Sequence, residues 1–160
     1  MRERWVILAE LCNKINARTV VEVGVSRGIN ASAWLSLCPF IQQMHLVDQS
    51  NSVFDIGLFD GVQSKLGMLW MSSLDAAKIL PNSLDLVYID ADHGYQAVKD
   101  DIDAWLPKIR KGGILCGHDY MKEYNPHSEV RFAVASKFTK VNLEQDTLEN
   151  GQIYVWWVQK

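Results

Sequence analysis

Short runs of consecutive apolar residues alternate with helix-like segments along this chain, and that alternation restricts the fold more than any other feature. The run at residues 19–25, TVVEVGV, is rich in β-branched side chains and has a glycine near its end. Apolar residues at consecutive positions indicate a strand buried on both faces, as in a parallel sheet. Four more strands are predicted from similar runs at 44–48, 68–71, 84–90 and 114–117.

Helical spacing of apolar residues separates these strands. Helices are predicted over residues 5–15, 29–38, 53–66, 73–80, from Tyr95 to a last turn containing Pro107, and near 129–138. Two closing strands are predicted near 139–145 and 152–158, with Asn150-Gly151 between them as a hairpin signal. The second contains IYVWWV, whose consecutive apolar residues predict an internal strand.

This order of elements predicts an α/β fold. Strands that alternate with helices form a parallel sheet covered on both faces, giving three layers, α-β-α. The closing hairpin must add an antiparallel strand, so we expect a seven-stranded, mostly parallel sheet with one antiparallel strand. We expect one domain over residues 1–160, with an N-terminal helix in 1–17 and the core in 18–160.

Composition excludes several classes of partner. The net charge is −3, and the sequence contains no basic stripe that would bind nucleic acid or an anionic membrane surface. The three cysteines lack CxxC spacing, so neither a disulfide framework nor a zinc site is indicated. We therefore expect a cytoplasmic protein with no signal peptide and no membrane-spanning segment.

A glycine-containing loop follows the first strand. It reads Glu22-x-Gly24-x-x-x-Gly28, and Asp48 ends the second strand 20 residues after Gly28. An acid at that strand end can accept hydrogen bonds from the two hydroxyls of an adenosine ribose. The spacing departs from the G-x-G-x-x-G of dinucleotide-binding loops, whose middle glycine makes room for a pyrophosphate. The pattern therefore favours a nucleoside cofactor without phosphates, such as S-adenosylmethionine.

Four segments together resemble a known family: VVEVGVSRGINASAW, HLVD, YIDADHGYQAVKDDI and WLPKIRKGGILCGHDY. Over residues 18–137 the chain resembles class I S-adenosylmethionine-dependent methyltransferases with a Rossmann-like fold. The branch it resembles most is the small O-methyltransferases related to sugar O-methyltransferases (methyltransferase family 24). The resemblance implies that the cofactor is bound by Glu22, Gly24, Val25, Ser26, Gly28, Asp48, Gln49, Met71, Ser72, Ser73 and Asp90.

The resemblance also implies a metal and a base. In metal-dependent members an acid ending the fourth strand and two residues ending the fifth bind a divalent cation, which here would be Asp90, His118 and Asp119. The base, three residues after the first acid, would be His93. His118 departs from the usual oxygen ligand, so Mg²⁺ would be less favoured than Mn²⁺, Fe²⁺ or Zn²⁺, or no metal would bind.

Each of these residues also has an ordinary structural interpretation. Asp90 and Asp92 could cap the next helix, because Asp is a favoured N-cap residue. His93 could be a hydrogen-bonded loop residue, and His118 could be structural.

The expected function is methyl transfer to a hydroxyl oxygen of a small molecule, with Asp90 and His93 as catalytic residues. The alternatives are an inactive module that binds S-adenosylmethionine or S-adenosylhomocysteine (SAH) and, less favoured by the glycine spacing, an NAD-dependent oxidoreductase. The acceptor pocket is expected among residues 1–18 and 118–130. Six tryptophans and the lack of a predicted lid favour a homodimer.

Overall fold

Seven strands form one sheet in the computed structural model, which describes residues 2–123, 128–147 and 153–160. The strands are β1 (Thr19–Val23), β2 (Gln43–Asp48), β3 (Leu66–Trp70), β4 (Leu84–Ile89), β5 (Ile109–Met121), β6 (Asn142–Asp146) and β7 (Ile153–Gln159). The helices are α1 (Arg4–Ile15), α2 (Ile29–Leu37), α3 (Ser73–Ile79), α4 (Tyr95–Trp105) and α5 (Val130–Lys137). No helix in these ranges is long and apolar enough to cross a bilayer.

The strand order is β3-β2-β1-β4-β5-β7-β6. β1 to β5 run parallel, and β7 lies antiparallel between β5 and β6. The predicted α/β fold, with a mostly parallel sheet and one antiparallel strand, is therefore confirmed. β7 is internal, as its consecutive apolar residues predict, because it contributes to the cores on both faces of the sheet.

Two apolar cores cover the two faces of the sheet. β4 contributes side chains to both cores. Leu86 and Tyr88 lie in the core beneath α1 and α2, whereas Val87 and Ile89 lie in the core beneath α3, α4 and α5. Successive residues of a strand point to opposite faces, so a strand between two helical layers needs apolar residues at every position. Burial on both sides thus explains the consecutive apolar runs of the sequence.

The predicted helix at 53–66 is wrong. This segment contains two short 3-10 turns, Ile56–Phe59 and Gln63–Lys65. Between them Gly61 has a φ of 77°, which is outside the right-handed helical region. The backbone conformation at this glycine therefore interrupts any continuous helix.

The fifth strand is longer than predicted and begins before the glycine pair expected to precede it. β5 starts at Ile109, and the register with β4 shifts between Leu84 and Leu86 because Gly112-Gly113 form an irregularity inside the strand. α4 stops at Trp105, and Pro107 lies in a following 3-10 turn. The predicted turn at Asn150-Gly151 lies outside the described residues.

The carboxyl ends of β1, β2 and β4 meet at Gly24. Its amide donates to Val47 O at 2.9 Å, and the Asp90 amide donates to Val23 O at 2.7 Å. Gly24 has a φ of 87°, and a Cβ atom there would lie 2.1 Å from Asp90 O. Only glycine fits this approach of two backbones.

We expect Gly24→Ala to be far more destabilising than Gly61→Ala. Both glycines have positive φ, but a Cβ at Gly61 meets nothing within 4 Å. Gly61→Ala should cost about 1–2 kcal/mol from backbone strain alone. Gly24→Ala should cost at least ~2 kcal/mol more through the overlap, or prevent folding. Urea unfolding of both variants measures the difference, and equal costs would contradict the close approach.

Candidate active site

A cavity of about 820 Å³ opens at the carboxyl ends of the parallel strands. Ligands of open α/β sheets bind at this edge. Most of the residues predicted for the site line it: Glu22, Gly24, Val25, Ser26, Asp48, Gln49, Met71, Ser73, Asp90, His93, His118 and Asp119. Gly28 and Ser72 do not, and the lining also includes Arg4 and Asn30, which the sequence did not single out.

Asp48 shapes the loop after β1. Its Oδ2 accepts hydrogen bonds from the amides of Val25 at 2.9 Å and Ser26 at 3.0 Å, and its Oδ1 accepts from the Ser50 amide at 3.1 Å. Burial alone would raise the pKa of Asp48, but these backbone N–H groups outweigh it, so the pKa is below its ordinary value. The carboxylate is therefore ionised and fixed in place at the cavity wall. Its predicted contact with a ribose stays a prediction.

Glu22 is the most unusual group in the cavity wall. Its side chain is 1% exposed, and its Oε1 accepts from Asn30 Nδ2 at 2.8 Å. Among the described residues, Glu22 Oε2 and Asn30 Oδ1 have no hydrogen-bond partner. Burial raises the pKa of Glu22 to about 8. At neutral pH this carboxyl is therefore mostly protonated, and a cationic donor such as an ammonium group would favour its ionised form, which accepts hydrogen bonds together with Asn30 Oδ1.

An acid–base cluster also lines the cavity. One potential ligand atom each from Asp90, His93 and Asp119 lies within 4.8 Å of the others. His93 Nε2 is 2.9 Å from Asp119 Oδ2, and this hydrogen bond raises the pKa of His93. Burial would raise the pKa of Asp119, but hydrogen bonds from His118 and His93 outweigh it and lower that pKa well below its ordinary value.

His118 lines the cavity beside Asp119, and its Nδ1 lies 3.9 Å from Asp90 Oδ1. Its ring is buried, with Nδ1 3.2 Å from Asp119 Oδ2 and Nε2 3.0 Å from Asp146 Oδ2. Both ring nitrogens thus face carboxylates, and the metal set predicted from Asp90, His118 and Asp119 stays a prediction. His93 takes the place of His118 in the group of side chains that could hold an ion.

Arg4 and Asp146 were not found by sequence reasoning. Arg4 Nε lies 3.0 Å from Asp146 Oδ2, and its Nη1 lies 3.4 Å from Asp90 Oδ2. Tyr88 Oη also donates to Asp90 Oδ2, at 3.0 Å. Arg4 is separated from these acids by 142 and 86 residues, so no local pattern could reveal the pairing.

Asp90 is not the cap of the next helix. α4 has Gly94 as its N-cap, without a side-chain cap, and Asp92 Oδ1 accepts from the Gly94 amide at 2.7 Å. Asp92 is therefore the loop acid, and the carboxylate of Asp90 lies at the cavity wall. Burial raises the pKa of Asp90.

Gly28 and Ser72 have structural explanations. A Cβ at Gly28 would lie 2.9 Å from the Phe54 ring, so this glycine admits an aromatic side chain from the same protein. Its contact with the cofactor stays a prediction. Ser72 is the N-cap of α3. Ser73 lines the cavity, but its hydroxyl donates to Asp101 and accepts from Trp105 Nε1.

Comparison with known proteins identifies a family for the sequence and similar structures for the fold. A sequence model of a family described as "Methyltransferase domain" matches residues 21–120. The crystal structure of the O-methyltransferase from Bacillus cereus in complex with SAH has a TM-score of 0.76 at 16% identity, covering 96% of this chain and 79% of that one. Cofactor-bound Rv0187 from MTB has a TM-score of 0.76 at 18% identity, covering 94% and 76%.

Two further proteins are similar. The N-methyltransferase NodS from Bradyrhizobium japonicum WM9 has a TM-score of 0.69 at 12% identity, covering 99% of this chain and 95% of that one. The uncharacterized protein R132 of Acanthamoeba polyphaga mimivirus is 38% identical over 55 residues, which is 34% of this chain and 24% of that protein. The match thus spans about a quarter of that relative's length.

We expect Glu22→Gln to become more stabilising as pH rises. The folded carboxyl has a pKa of about 8 against 4.5 in the unfolded chain, so the folded state holds its proton more tightly. Stability contributed by that proton is complete below pH 4.5 and is lost as pH rises through 8. Glutamine keeps the acceptor for Asn30 and removes the titration.

Urea unfolding at pH 5 and pH 9 measures this effect. At pH 9 the variant should exceed the wild type by an amount on the order of 3–5 kcal/mol, whereas at pH 5 the two should agree within about 1 kcal/mol. A stability difference that does not change with pH would contradict the raised pKa of Glu22.

Proposed function

Because the chain belongs to the methyltransferase domain family, we propose that it binds S-adenosylmethionine and transfers its methyl group to a hydroxyl oxygen of a small molecule. The observation that carries the proposal is one cavity with two chemically different walls. What we call its first wall contains the buried, unsatisfied polar atoms of Glu22 and Asn30, and its second wall contains the imidazole–carboxylate pair of His93 and Asp119. The first wall suits the cofactor, and the second wall suits a methyl acceptor that must lose a proton.

The residues of the first wall fit the cofactor. Asn30 Oδ1 and, once the nearby cation favours its ionised form, Glu22 offer acceptors to the ammonium group of its amino-acid part. Asp48 offers a carboxylate to its ribose. Met71 and Ser73 line the same cavity, where they would contact the adenine. When bound, S-adenosylmethionine supplies a methyl group already activated by a sulfonium centre.

His93 is proposed as the base. An alcohol has a pKa near that of water, about 16, so the acceptor needs a group that takes its proton. The side chain of His93 is 39% exposed at the cavity, whereas Asp119 behind it is 13% exposed. Asp119 therefore orients the ring and stabilises its protonated form while the second nitrogen faces the acceptor.

The same cluster supports a second interpretation, with a divalent cation. Asp90, His93 and Asp119 provide two carboxylates and one imidazole, a donor set that favours Mn²⁺, Fe²⁺ or Zn²⁺ over Mg²⁺. The ion would act as a Lewis acid that lowers the pKa of a bound hydroxyl. An ion held by Asp119 and by Nε2 of His93 would replace the His93–Asp119 hydrogen bond.

Two alternatives remain to be separated from this proposal. A module that binds the cofactor without turnover would need the cofactor-binding residues of the first wall but not the His93–Asp119 pair of the second. Methyl transfer to nitrogen would use the same fold, as the likeness to an N-methyltransferase illustrates. We favour oxygen because His93 lies at the cavity as a paired base, which a hydroxyl needs more than a neutral amine does. A homodimer stays a prediction.

We expect SAH to stabilise the protein and NAD⁺ to have no effect. At 100 times its dissociation constant, a ligand of the native state adds about 2.7 kcal/mol, which should raise Tm by about 5 °C or more. Thermal-shift measurements with each compound test this. Stabilisation by NAD⁺ but not by SAH would overturn the proposal in favour of an oxidoreductase.

We expect His93→Gln to lower turnover by about 10²–10⁴-fold, because general-base catalysis contributes this much. Radiolabelled methyl transfer from S-adenosylmethionine to catechol, glucose, serine and benzylamine measures it. The matched control is His45→Gln, a histidine of β2 that does not line the cavity and should keep wild-type turnover.

Each arm of this assay runs with EDTA and with MnCl₂. Turnover that EDTA abolishes would favour the cation over the free base. SAH binding with no labelled product in any arm would favour the inactive module, and labelling of benzylamine alone would exclude the hydroxyl acceptor.

A further inference from the structure

Two adjacent side chains near the end of β5 both line the cavity. Neighbouring residues of a regular strand point to opposite faces, yet His118 and Asp119 are both in the cavity wall and contact each other. The pairing of β5 with β7 is interrupted between Gly117 and Tyr120, and Asp119 has a φ of 55°. This left-handed conformation is uncommon for a residue with a side chain, so surrounding contacts must maintain it.

Contacts hold this irregular segment from two directions. Ser128 Oγ donates to Asp119 O at 2.9 Å, which fixes the backbone. His118 Nδ1 lies 3.2 Å from Asp119 Oδ2, which fixes the side chain. The orientation of the His118 ring is itself set at its far nitrogen, where Nε2 lies 3.0 Å from Asp146 Oδ2.

Asp146 contacts a residue of the cavity wall, His118, without itself lining the cavity. It is fully buried, ends β6 at the outer edge of the sheet and does not line the cavity, so it has no access to a substrate there. Arg4 Nε, 3.0 Å from the same Oδ2, holds the carboxylate from the α1 side. An unbroken series of contacts therefore runs from Asp146 through His118 and Asp119 to His93.

We propose that Asp146 is a positioning residue that acts through His118 to hold Asp119 in the orientation in which this carboxylate binds His93. The importance of that orientation for catalysis rests on the proposed function. The link itself is a structural property of the protein and is measured without turnover.

The test compares the wild type with Asp146→Asn by NMR of the full chain labelled with ¹⁵N-histidine. The amide keeps the shape of the side chain but replaces one carboxylate oxygen with a donor, so the hold on His118 is weakened. We expect the ring resonances of both His118 and His93 to move, although His93 does not touch Asp146. Affinity for SAH should change less than twofold.

The matched control is Glu144→Gln. Glu144 lies on the same strand and also pairs with an arginine of the N-terminal segment, Arg2, at 2.8 Å. It does not contact the His118 ring, so its removal should leave the His93 resonances unchanged. A shift of His93 in both variants would indicate a general loosening of β6 and would overturn the proposal.

The rate of methyl transfer provides a second readout, measured with whichever of the four assay compounds (catechol, glucose, serine or benzylamine) the wild type methylates. Asp146→Asn should lower kcat by about 10–100-fold, the usual effect of losing a group that orients an active-site side chain, with the KM for S-adenosylmethionine within twofold. Unchanged His93 resonances, or unchanged kcat alongside a lower Tm, would show a purely structural role and overturn the inference.

A second variant covers the case in which Asp146→Asn does not fold. His118→Gln leaves both acids in place and should move the His93 resonances in the same way, and unchanged resonances would overturn the proposal. If the wild type binds SAH but methylates no compound of the panel, the proposed function fails, while the His93 measurement still decides this inference.

Discussion

The hydrogen bonds that join the ends of β1, β2 and β4 are the constraint on which the rest of the structure depends. Gly24 donates to Val47 O, Asp90 donates to Val23 O, and the two backbones are too close for any Cβ at residue 24. This contact brings the strand ends to one edge, so that Glu22, Asp48 and Asp90 line the same cavity. Backbone geometry therefore decides where the polar side chains meet.

The charges gathered at this edge are stabilised in different ways. Asp48 is held by backbone N–H groups, and Asp119 is held by two imidazoles, so the pKa of each is lowered. Glu22 has only a neutral amide at hydrogen-bond distance, and burial raises its pKa. A buried carboxyl without a cation is costly in its ionised form. The cavity is thus lined both by buried polar atoms without a hydrogen-bond partner and by an internally paired imidazole and carboxylate.

Sequence reasoning succeeded where strand periodicity decides the position of a residue. The carboxyl ends of parallel strands share an edge, so Asp90 and Asp119 could be placed together, and the apolar run of β7 predicted an internal strand. It failed where contacts between distant segments or local irregularities decide. The contacts of Arg4 with two acids and of His118 with Asp146 join distant parts of the chain, and the helix predicted at 53–66 is interrupted at a glycine.

The pairing of β6 with β7 has a consequence for how this protein can change. Asp146 pairs with Ile153 in the ladder, and side chains of a strand alternate between faces with a period of two. A register shift of one residue would place Gln145 where the carboxylate of Asp146 now lies. It would also move all the side chains of β6 to the opposite face of the sheet. Length changes between these strands that shift the ladder by an odd number of residues would therefore remove the carboxylate that contacts His118 in the cavity wall. Shifts by an even number would preserve which side chains of β6 face each side of the sheet.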